Sequence, residues 1–393
     1  MTTKILSIAD VLPITKLKAE NDAILRLYNE IMLQRSDIEI LIYKPLSYPF
    51  PMRSLFDNTW RNYIELHKAK SYYYNNFEIN ILPGIMFRSP VWMQRYLNST
   101  FFSFNRKRLL NIISRNKISM IHANYLHFDG LIALKLHKSC GIPFSVTSRE
   151  VDNVLKHPFF ENKIKEVLIN ANSVFAFNMD RYSFLKPICG DKVCLVPHGI
   201  EKDFIVEKSH RIAGENRLLS VCRLLKLKNV DKILISLSKL KNKYTFKYTL
   251  IGEGPEREHL LHIIKSLGLC DYVHYIDRVP YEDMPNVYAE HDVFLLCSYP
   301  ETFGRVYFEA MAAGLPILCA NRLAINGFFD EGVSGFSVNP DDNEGILAKI
   351  EFFLSHPKLT AEMGDKARDQ ARQFLWPCVA KSYISSWGFN KIQ

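Results

Sequence analysis

Short apolar runs alternate with longer amphipathic segments from one end of the chain to the other. The runs predict strands over 4–8, 38–43, 79–82, 118–122, 143–147, 173–177 and 193–197 in the first half, and over 218–222, 247–251, 273–276, 293–297 and 317–320 in the second. Between them, apolar positions recur at helical spacing over 22–34, 130–139, 159–170, 230–240, 256–267, 305–313, 343–354 and 360–374. Near-continuous apolar strands alternating with helices predict parallel sheets covered on both faces. Two such series in succession predict an α/β chain of two Rossmann-like domains. The first is expected over 1–200 and the second over 201–374, with 375–393 packing back on the first and the polar stretch 201–216 as linker. Parallel sheets bind ligands at the carboxyl ends of their strands. Two such domains facing each other would make one cleft. Residues 60–115 read as an insertion, rich in Tyr, Phe, Trp, Arg and Lys, with one long amphipathic helix over about 91–116.

Composition narrows the class. The chain has 393 residues and 45.6 kDa, with 48% hydrophobic and 23% charged residues, the balance of a globular protein rather than a disordered one. No stretch approaches the roughly 20 uninterrupted apolar residues of a membrane-spanning helix. The apolar run Ile5 to Ala9 soon meets Asp10 and Pro13, which suits a strand and not a signal peptide. Eight cysteines are scattered without a C-x-x-C pair, so the expectation is a reducing cytoplasm, no disulfides and no zinc. His259 and His262 share a helix face without a third ligand and read as surface residues. The net charge of +9 is unevenly placed: residues 1–200 carry 26 Lys/Arg against 16 Asp/Glu, residues 201–393 carry 24 against 25. A basic first half suits an anionic membrane surface, an anionic substrate or nucleic acid, or is a plain basic average. No compact Lys/Arg stripe or nucleic-acid module is present, so nucleic acid is not expected.

The segment Glu301 to Pro316 carries the densest chemistry. It follows a predicted strand and a turn with Pro300. Gly304 starts a helix, and Gly314 with Pro316 ends it. A helix start after a parallel strand is a ready phosphate site, where the amides of Gly304, Arg305 and Val306 would serve. Glu301 stands before the helix and Glu309 inside it, two acceptors for two sets of ligand hydroxyls. Alternatively, Arg305 and Glu309 form a plain surface i,i+4 pair.

The frame ETFGRVYFEAMAAGLP resembles the nucleotide-sugar motif of retaining glycosyltransferases with the GT-B fold, family 4. Four further segments agree in order and spacing: Val221 to Lys228, Ile251 to Pro255, Val279 to Val293, and Val196-Pro197-His198-Gly199-Ile200; Glu331 to Gly335 resembles the family's late glycine turn. Together they cover nearly all of 193–340. Five motifs in register are specific where a lone Gly252-x-Gly254 is not. The resemblance implies that Arg223 and Lys228 bind the donor diphosphate and that Glu301 binds donor-sugar hydroxyls, the three forming the catalytic set. It implies donor contacts at Gly252, Val279, Phe303, Gly304, Arg305 and Val306, and ribose contacts at Glu309. Fixed cations at a departing diphosphate stabilise the charge that develops there. The chain holds no D-x-D triad, so no metal and no cofactor is expected; the nucleotide-sugar is a substrate.

The first domain matches less closely. Ile121-His122-Ala123-Asn124 and Gly141 to Thr147 resemble the family. Arg149 takes the basic place of a later motif in which Glu150 replaces a glycine; it either approaches the donor sugar or pairs with Asp152 or Glu150. The first strand–helix turn lacks the usual glycines, and Lys16 and Lys18 stand there instead. His122, Arg149, Lys16 and Lys18 are thus the candidates for the sugar or acceptor side. The expected function is transfer of a sugar from a UDP- or GDP-sugar to a glycan or lipid-linked acceptor in cell-surface polysaccharide or glycoconjugate synthesis, in the cytoplasm or peripherally on the inner face of the cytoplasmic membrane. The aromatic-basic insertion (Trp60, Tyr72–Tyr74, Trp92, Arg95, Tyr96, Phe101, Phe102, Arg106–Arg108) is either an interfacial surface or ordinary core. The alternatives are a nucleotide-sugar binding protein without turnover, or the same fold with a phosphate or sugar-phosphate acceptor. The sugar, base, acceptor and linkage are not legible.

Overall fold

The computed structural model describes residues 2–13, 22–47, 66, 68–84, 91–149, 158–206, 216–301, 303–322 and 325–389. Lys16, Lys18, Trp60, Glu150, Asp152 and Thr302 lie outside them. The chain forms two compact units, Met1–Phe177 with Arg181–Pro197 and Val379–Gln393, and Asn178–Asp180 with His198–Cys378.

The first unit is built from β1 (Thr3–Ile8), α1 (Ala23–Gln34), β2 (Ile38–Ser47), β3 (Ser71–Tyr74), β4 (Phe77–Gly84), α2 (Val91–Asn116), β5 (Met120–Ala123), α3 (Asp129–Cys140), β6 (Phe144–Ser148), α4 (Pro158–Asn170), β7 (Ser173–Ala176), α5 (Met179–Cys189) and β8 (Val193–Leu195). Its sheet has the order β3-β4-β2-β1-β5-β6-β7-β8. Every pair is parallel except β3 with β4. β5, β6 and β7 are buried at every position, as strands covered on both faces must be. Of the aromatic insertion, the side chains of Trp60, Trp92, Arg95 and Tyr96 lie outside the described residues, and the others divide between core and surface. On α2, Phe101, Asn105, Leu109 and Ile113 recur every fourth residue and are all buried, one stripe turned to the core. The Asn105 amide on that stripe donates to Pro83 O at 2.9 Å and Phe101 O at 3.1 Å, so it is buried without a lost hydrogen bond. Phe102 is buried beneath the ammonium of Lys135, 5.1 Å from its ring centre. Phe104, on the other face, is 74% exposed.

The second unit carries β9 (Asn216–Val221), α6 (Val230–Leu240), β10 (Phe246–Ile251), α7 (Arg257–Ser266), β11 (Val273–Ile276), α8 (Met284–Ala289), β12 (Val293–Leu296), α9 (Arg305–Ala312), β13 (Ile317–Ala320), β14 (Gly335–Val338), α10 (Asn343–Ser355) and α11 (Pro357–Ala371). The chain then enters α12 (Trp376–Ser386), whose later part belongs to the first unit. The sheet is wholly parallel, in the order β11-β10-β9-β12-β13-β14. α6 shows why such helices form. Val230, Ile233, Leu234, Leu237 and Leu240 are buried along one face, each contributing about 1.5–3 kcal/mol relative to exposure. Each unit is an α/β doubly wound sheet, the pair of Rossmann-like units of a GT-B fold.

β3, β14, α5 and α12 are additional to the elements predicted from the sequence; α5 carries Pro187 inside it. The helix expected over 360–374 begins at Pro357, whose missing amide costs nothing at a helix start, and ends at Ala371 before a 3₁₀ turn, Arg372–Phe374.

Candidate functional site

In the second unit the strand order reverses at β9, which lies between β10 and β12. At such a point the loops leaving neighbouring strands diverge and open a ligand site. The loop after β9 is Cys222 to Asn229, and the loop after β12 is Cys297 to Gly304. They are tied together. Asn229 Nδ2 donates to Cys297 O at 2.7 Å, and Tyr299 N to Leu227 O at 2.9 Å. The loop after β10 joins from the other side: Cys222 N donates to Ile251 O at 3.0 Å and Leu224 N to Glu253 O at 2.8 Å.

Across this junction Lys228 Nζ donates to Glu301 Oε2, an ion pair whose side chains are 14% and 16% exposed. Ser298 Oγ donates to the same Glu301 oxygen at 3.2 Å. The residues expected to meet the diphosphate and the donor sugar are thus adjacent, each holding the other. Arg223, on the same loop, is exposed and has no ion-pair partner among the described residues. Burial pushes the pKa of the Cys222 thiol up to about 12.

Gly304 adopts the left-handed conformation, φ 72°, and caps α9. The first intrahelical bond is donated by Tyr307 to Gly304 O at 3.0 Å, so the preceding amides are those a helix leaves without intrahelical partners. Glu309 is buried. Tyr288 OH donates to its Oε2 at 3.1 Å, Tyr281 OH lies 3.3 Å from Oε1, and Arg305 Nε lies 2.9 Å from Oε1. Burial raises its carboxyl above the usual range, and the Arg305 charge draws it back down. The surface pair considered from the sequence is therefore corrected: Arg305 is 27% exposed but Glu309 only 5%, because Tyr281, Tyr288 and the helix itself cover the carboxylate. Arg305 Nη2 also donates to Glu201 Oε2 at 2.9 Å. Glu201 was read as the first residue of a linker. It instead binds Arg305, Tyr281 and the Trp376 indole, and Phe204 just after it is buried. Nothing in the sequence pairs Glu201 with a residue more than a hundred positions away. Tyr281 lies within the recognised segment 279–293 and Ser298 just before the one that starts at Glu301, which is the signal available for them.

Other expected donor contacts have structural duties. Phe303 is buried and stacks on Phe308, centres 4.6 Å apart with planes at 2°; Phe308 abuts Phe374 at 4.7 Å. Its ring is part of an aromatic core under the helix start. Val279 is half-buried on the turn before Tyr281. At Gly252 a Cβ would stand 1.8 Å from Cys222 O.

In the first unit His122 is fully buried. Its Nδ1 is 2.8 Å from Ser145 Oγ, and its ring packs edge-on to Tyr383 and Trp387 of the returning chain, at 5.7 and 5.4 Å. Burial, with the Arg149 charge second, lowers its pKa to about 3. The ring is covered, with Ser145 Oγ and, at 3.4 Å, Thr147 Oγ1 of β6 beside its two nitrogens. Arg149 is half-buried, hydrogen-bonds Tyr383 and lies 5.7 Å from the Phe177 ring centre. The β1 end is braced by Asp129, whose carboxylate accepts from Asp10 N at 3.2 Å, and by the buried Lys44, whose ammonium donates to Asp10 O and, at 3.2 Å, to Leu12 O. Among the described residues no group of three His, Cys, Asp or Glu is placed to hold a metal ion, and no helix is long and apolar enough to cross a membrane.

The chain is similar to known proteins. The family model described as glycosyl transferases group 1 matches residues 201–370. An N-acetyl-alpha-D-glucosaminyl L-malate synthase of Bacillus anthracis is 26% identical over 185 residues, 47% of this chain and 47% of that protein. The chain spans a quarter to about half of the length of the curated relatives it matches. Two solved structures share the fold: the lipopolysaccharide outer core galactosyltransferase WaaB in its apo form (TM-score 0.73, 14% identity, 99% of this chain and 100% of that one) and HepE of Anabaena in complex with UDP (TM-score 0.67, 17% identity, 99% and 100%). Residues 201–370, which hold the Lys228–Glu301 pair, α9 and the Glu309 cluster, belong to the glycosyl transferases group 1 family.

Proposed function

We propose that the chain is a retaining glycosyltransferase that moves a sugar from a UDP- or GDP-sugar to a glycan or lipid-linked acceptor in cell-surface polysaccharide or glycoconjugate synthesis. The observation that carries this reading is the Lys228–Glu301 pair at the reversal point of the second sheet, beside the start of α9. A diphosphate seated there meets Lys228, exposed Arg223 and the first amides of α9. Those charges gain most when the sugar–oxygen bond breaks and the leaving group becomes more anionic. Glu301, freed from Lys228 by the phosphates, accepts from donor-sugar hydroxyls, and Glu309 from the ribose. The UDP complex of HepE and the galactosyltransferase WaaB support a nucleotide-sugar donor.

The same reading has the reaction run without divalent metal, since Arg223 and Lys228 supply the positive charge. The experiment is a screen of UDP- and GDP-sugars for nucleotide release in excess chelator. Turnover is expected undiminished. Activity lost to chelator and restored by magnesium or manganese overturns metal independence, and no release or nucleotide binding with any donor overturns the whole reading.

The acceptor side carries a second proposal, peripheral binding at the inner face of the cytoplasmic membrane. Its support is the +10 first half and the outer face of α2, where Phe104, Arg106 and Lys107 are exposed. Binding to vesicles of anionic lipid is expected to fall steeply with salt, because the Debye length shrinks to about 3 Å at 1 M. Binding that salt does not weaken, or none, rejects it.

A further inference from the structure

Arg305 lies between two carboxylates. Nη2 donates to Glu201 at 2.9 Å, while Nε approaches Glu309 at the same distance but off the line of a hydrogen bond, so charge rather than direction links that pair. Its guanidinium carbon is 4.6 Å from the Tyr281 ring centre, within cation–π range. Glu201 is engaged at both oxygens, by Trp376 Nε1 at 3.3 Å on one and by Arg305 and Tyr281 on the other. The guanidinium is therefore held by Glu201 and by the aromatic face, independently of Glu309.

Among the described residues, no other cation forms an ion pair with Glu309. Tyr288 reaches it from α8 and Tyr281 from the preceding turn, both uncharged donors. Glu201 is a like charge and opposes ionisation. Glu282, Asp283, Lys202 and Asp203 on the neighbouring turns are exposed. α11, packed on α9, brings Arg368, which is engaged with Asp365 and Val206 O. β13 brings only the buried thiol of Cys319. A buried carboxylate without a partner neutralises itself by taking up a proton. As an acid it donates one hydrogen bond, whereas two sugar hydroxyls need an acceptor.

We infer that Arg305, anchored by Glu201 and Tyr281, is a positioning residue that keeps Glu309 ionised and aimed as the acceptor for the nucleotide's sugar diol. This rests on the proposed reading of Glu309 as the ribose contact. A carboxylate has about four lone-pair sites; Tyr288 uses one and Tyr281 another at long range, while Arg305 supplies charge without a directed hydrogen bond. The diol takes a remaining site and displaces the long contact to Tyr281.

The test is calorimetric titration of the full chain with UDP and with GDP from about pH 5.5 to about pH 8.5, alongside thermal melts. Wild type should bind one of them with little pH dependence. Arg305→Gln should bind weakly at the acid end and tighten by up to about tenfold per pH unit as Glu309 loses its proton. Arg305→Lys should restore the flat profile. Glu309→Gln, which cannot ionise, should bind weakly at every pH. Arg305→Met, which keeps the aliphatic stem and removes the charge, should show the same profile as Arg305→Gln and stands in if that variant does not fold. A loss equal at all pH values, or an unchanged profile, in Arg305→Gln and Arg305→Met overturns the inference while leaving the proposed site intact. Failure of wild type to bind either nucleotide overturns the reading of the site itself.

Discussion

Lys228→Ala should turn over about a hundred- to a thousandfold more slowly than wild type while still binding the nucleoside diphosphate. The loss corresponds to the roughly 3–4 kcal/mol supplied by one preorganised charge at a developing anion. It falls on kcat because the leaving group's charge grows in the transition state, and the ground-state diphosphate keeps Arg223 and the helix amides. The ion pair adds a second consequence. With Lys228 gone, Glu301 remains mostly covered, keeps Ser298 Oγ at 3.2 Å and loses its Lys228 ion pair. Removing the cationic partner of a carboxylate at this degree of burial costs about 1–3 kcal/mol of stability. Rate and stability can be separated. Lys228→Ala with Glu301→Gln also removes the charge that Lys228 balanced, so the melting temperature should recover while kcat stays low. Glu309→Ala, by contrast, should raise the donor KM more than it lowers kcat. Steady-state kinetics with a stopped assay of nucleotide release measures all three. A Lys228→Ala enzyme at near wild-type kcat removes Lys228 from the catalytic set.

The parallel sheets were legible because their strands are apolar on both faces, and so were helices whose apolar stripe is regular. Residues 91–116 and 230–240 are helices at the expected limits. β3 was hidden because Tyr72–Tyr74 lie beside Lys70 and two asparagines, the composition of a loop or an interfacial patch. Its strand conformation comes from antiparallel pairing with β4, which is a tertiary fact. β14 opens on a glycine and has four residues; pairing with β13 makes it a strand. Of the site, Lys228, Glu301 and Glu309 stood out through the family's spacing, but that spacing does not say which charges touch. The Lys228–Glu301 pair spans 73 positions and the Arg305–Glu201 pair 104. Both exist only because β9, β12 and the segment after β8 end near one another. His122 shows the opposite limit. A histidine at the end of a strand looks like a ligand contact, yet the chain from 379 onward, within the segment expected to return to the first domain, brings Tyr383 and Trp387 over it.

Gly252→Ala should destabilise the chain more than any other single methyl group discussed here, by about 3–5 kcal/mol or enough to prevent folding. Two costs add. Gly252 has φ +149°, where a side chain is strained, and its Cβ would stand 1.8 Å from Cys222 O and 2.9 Å from Cys222 C. A flexible side chain could swing away, but this carbonyl is backbone. It cannot retreat freely, because Cys222 N is bonded to Ile251 O at 3.0 Å and Gly252 N to Ile276 O at 3.0 Å. The close approach is what lets the loop after β9 lie across the end of β10, and that loop carries Arg223 and Lys228. Any protein that still folds should therefore lose nucleotide affinity and kcat together, unlike Lys228→Ala, which loses kcat alone. Gly332→Ala is the comparison. Gly332 also has positive φ, +74°, but the nearest atom to its Cβ would be 3.9 Å away, so only the conformational cost of about 1 kcal/mol remains. Thermal melts of the two variants measure the difference. A Gly252→Ala protein that melts within a degree or two of Gly332→Ala would show that the β9 loop yields to the methyl group, and that its position is not set by the glycine.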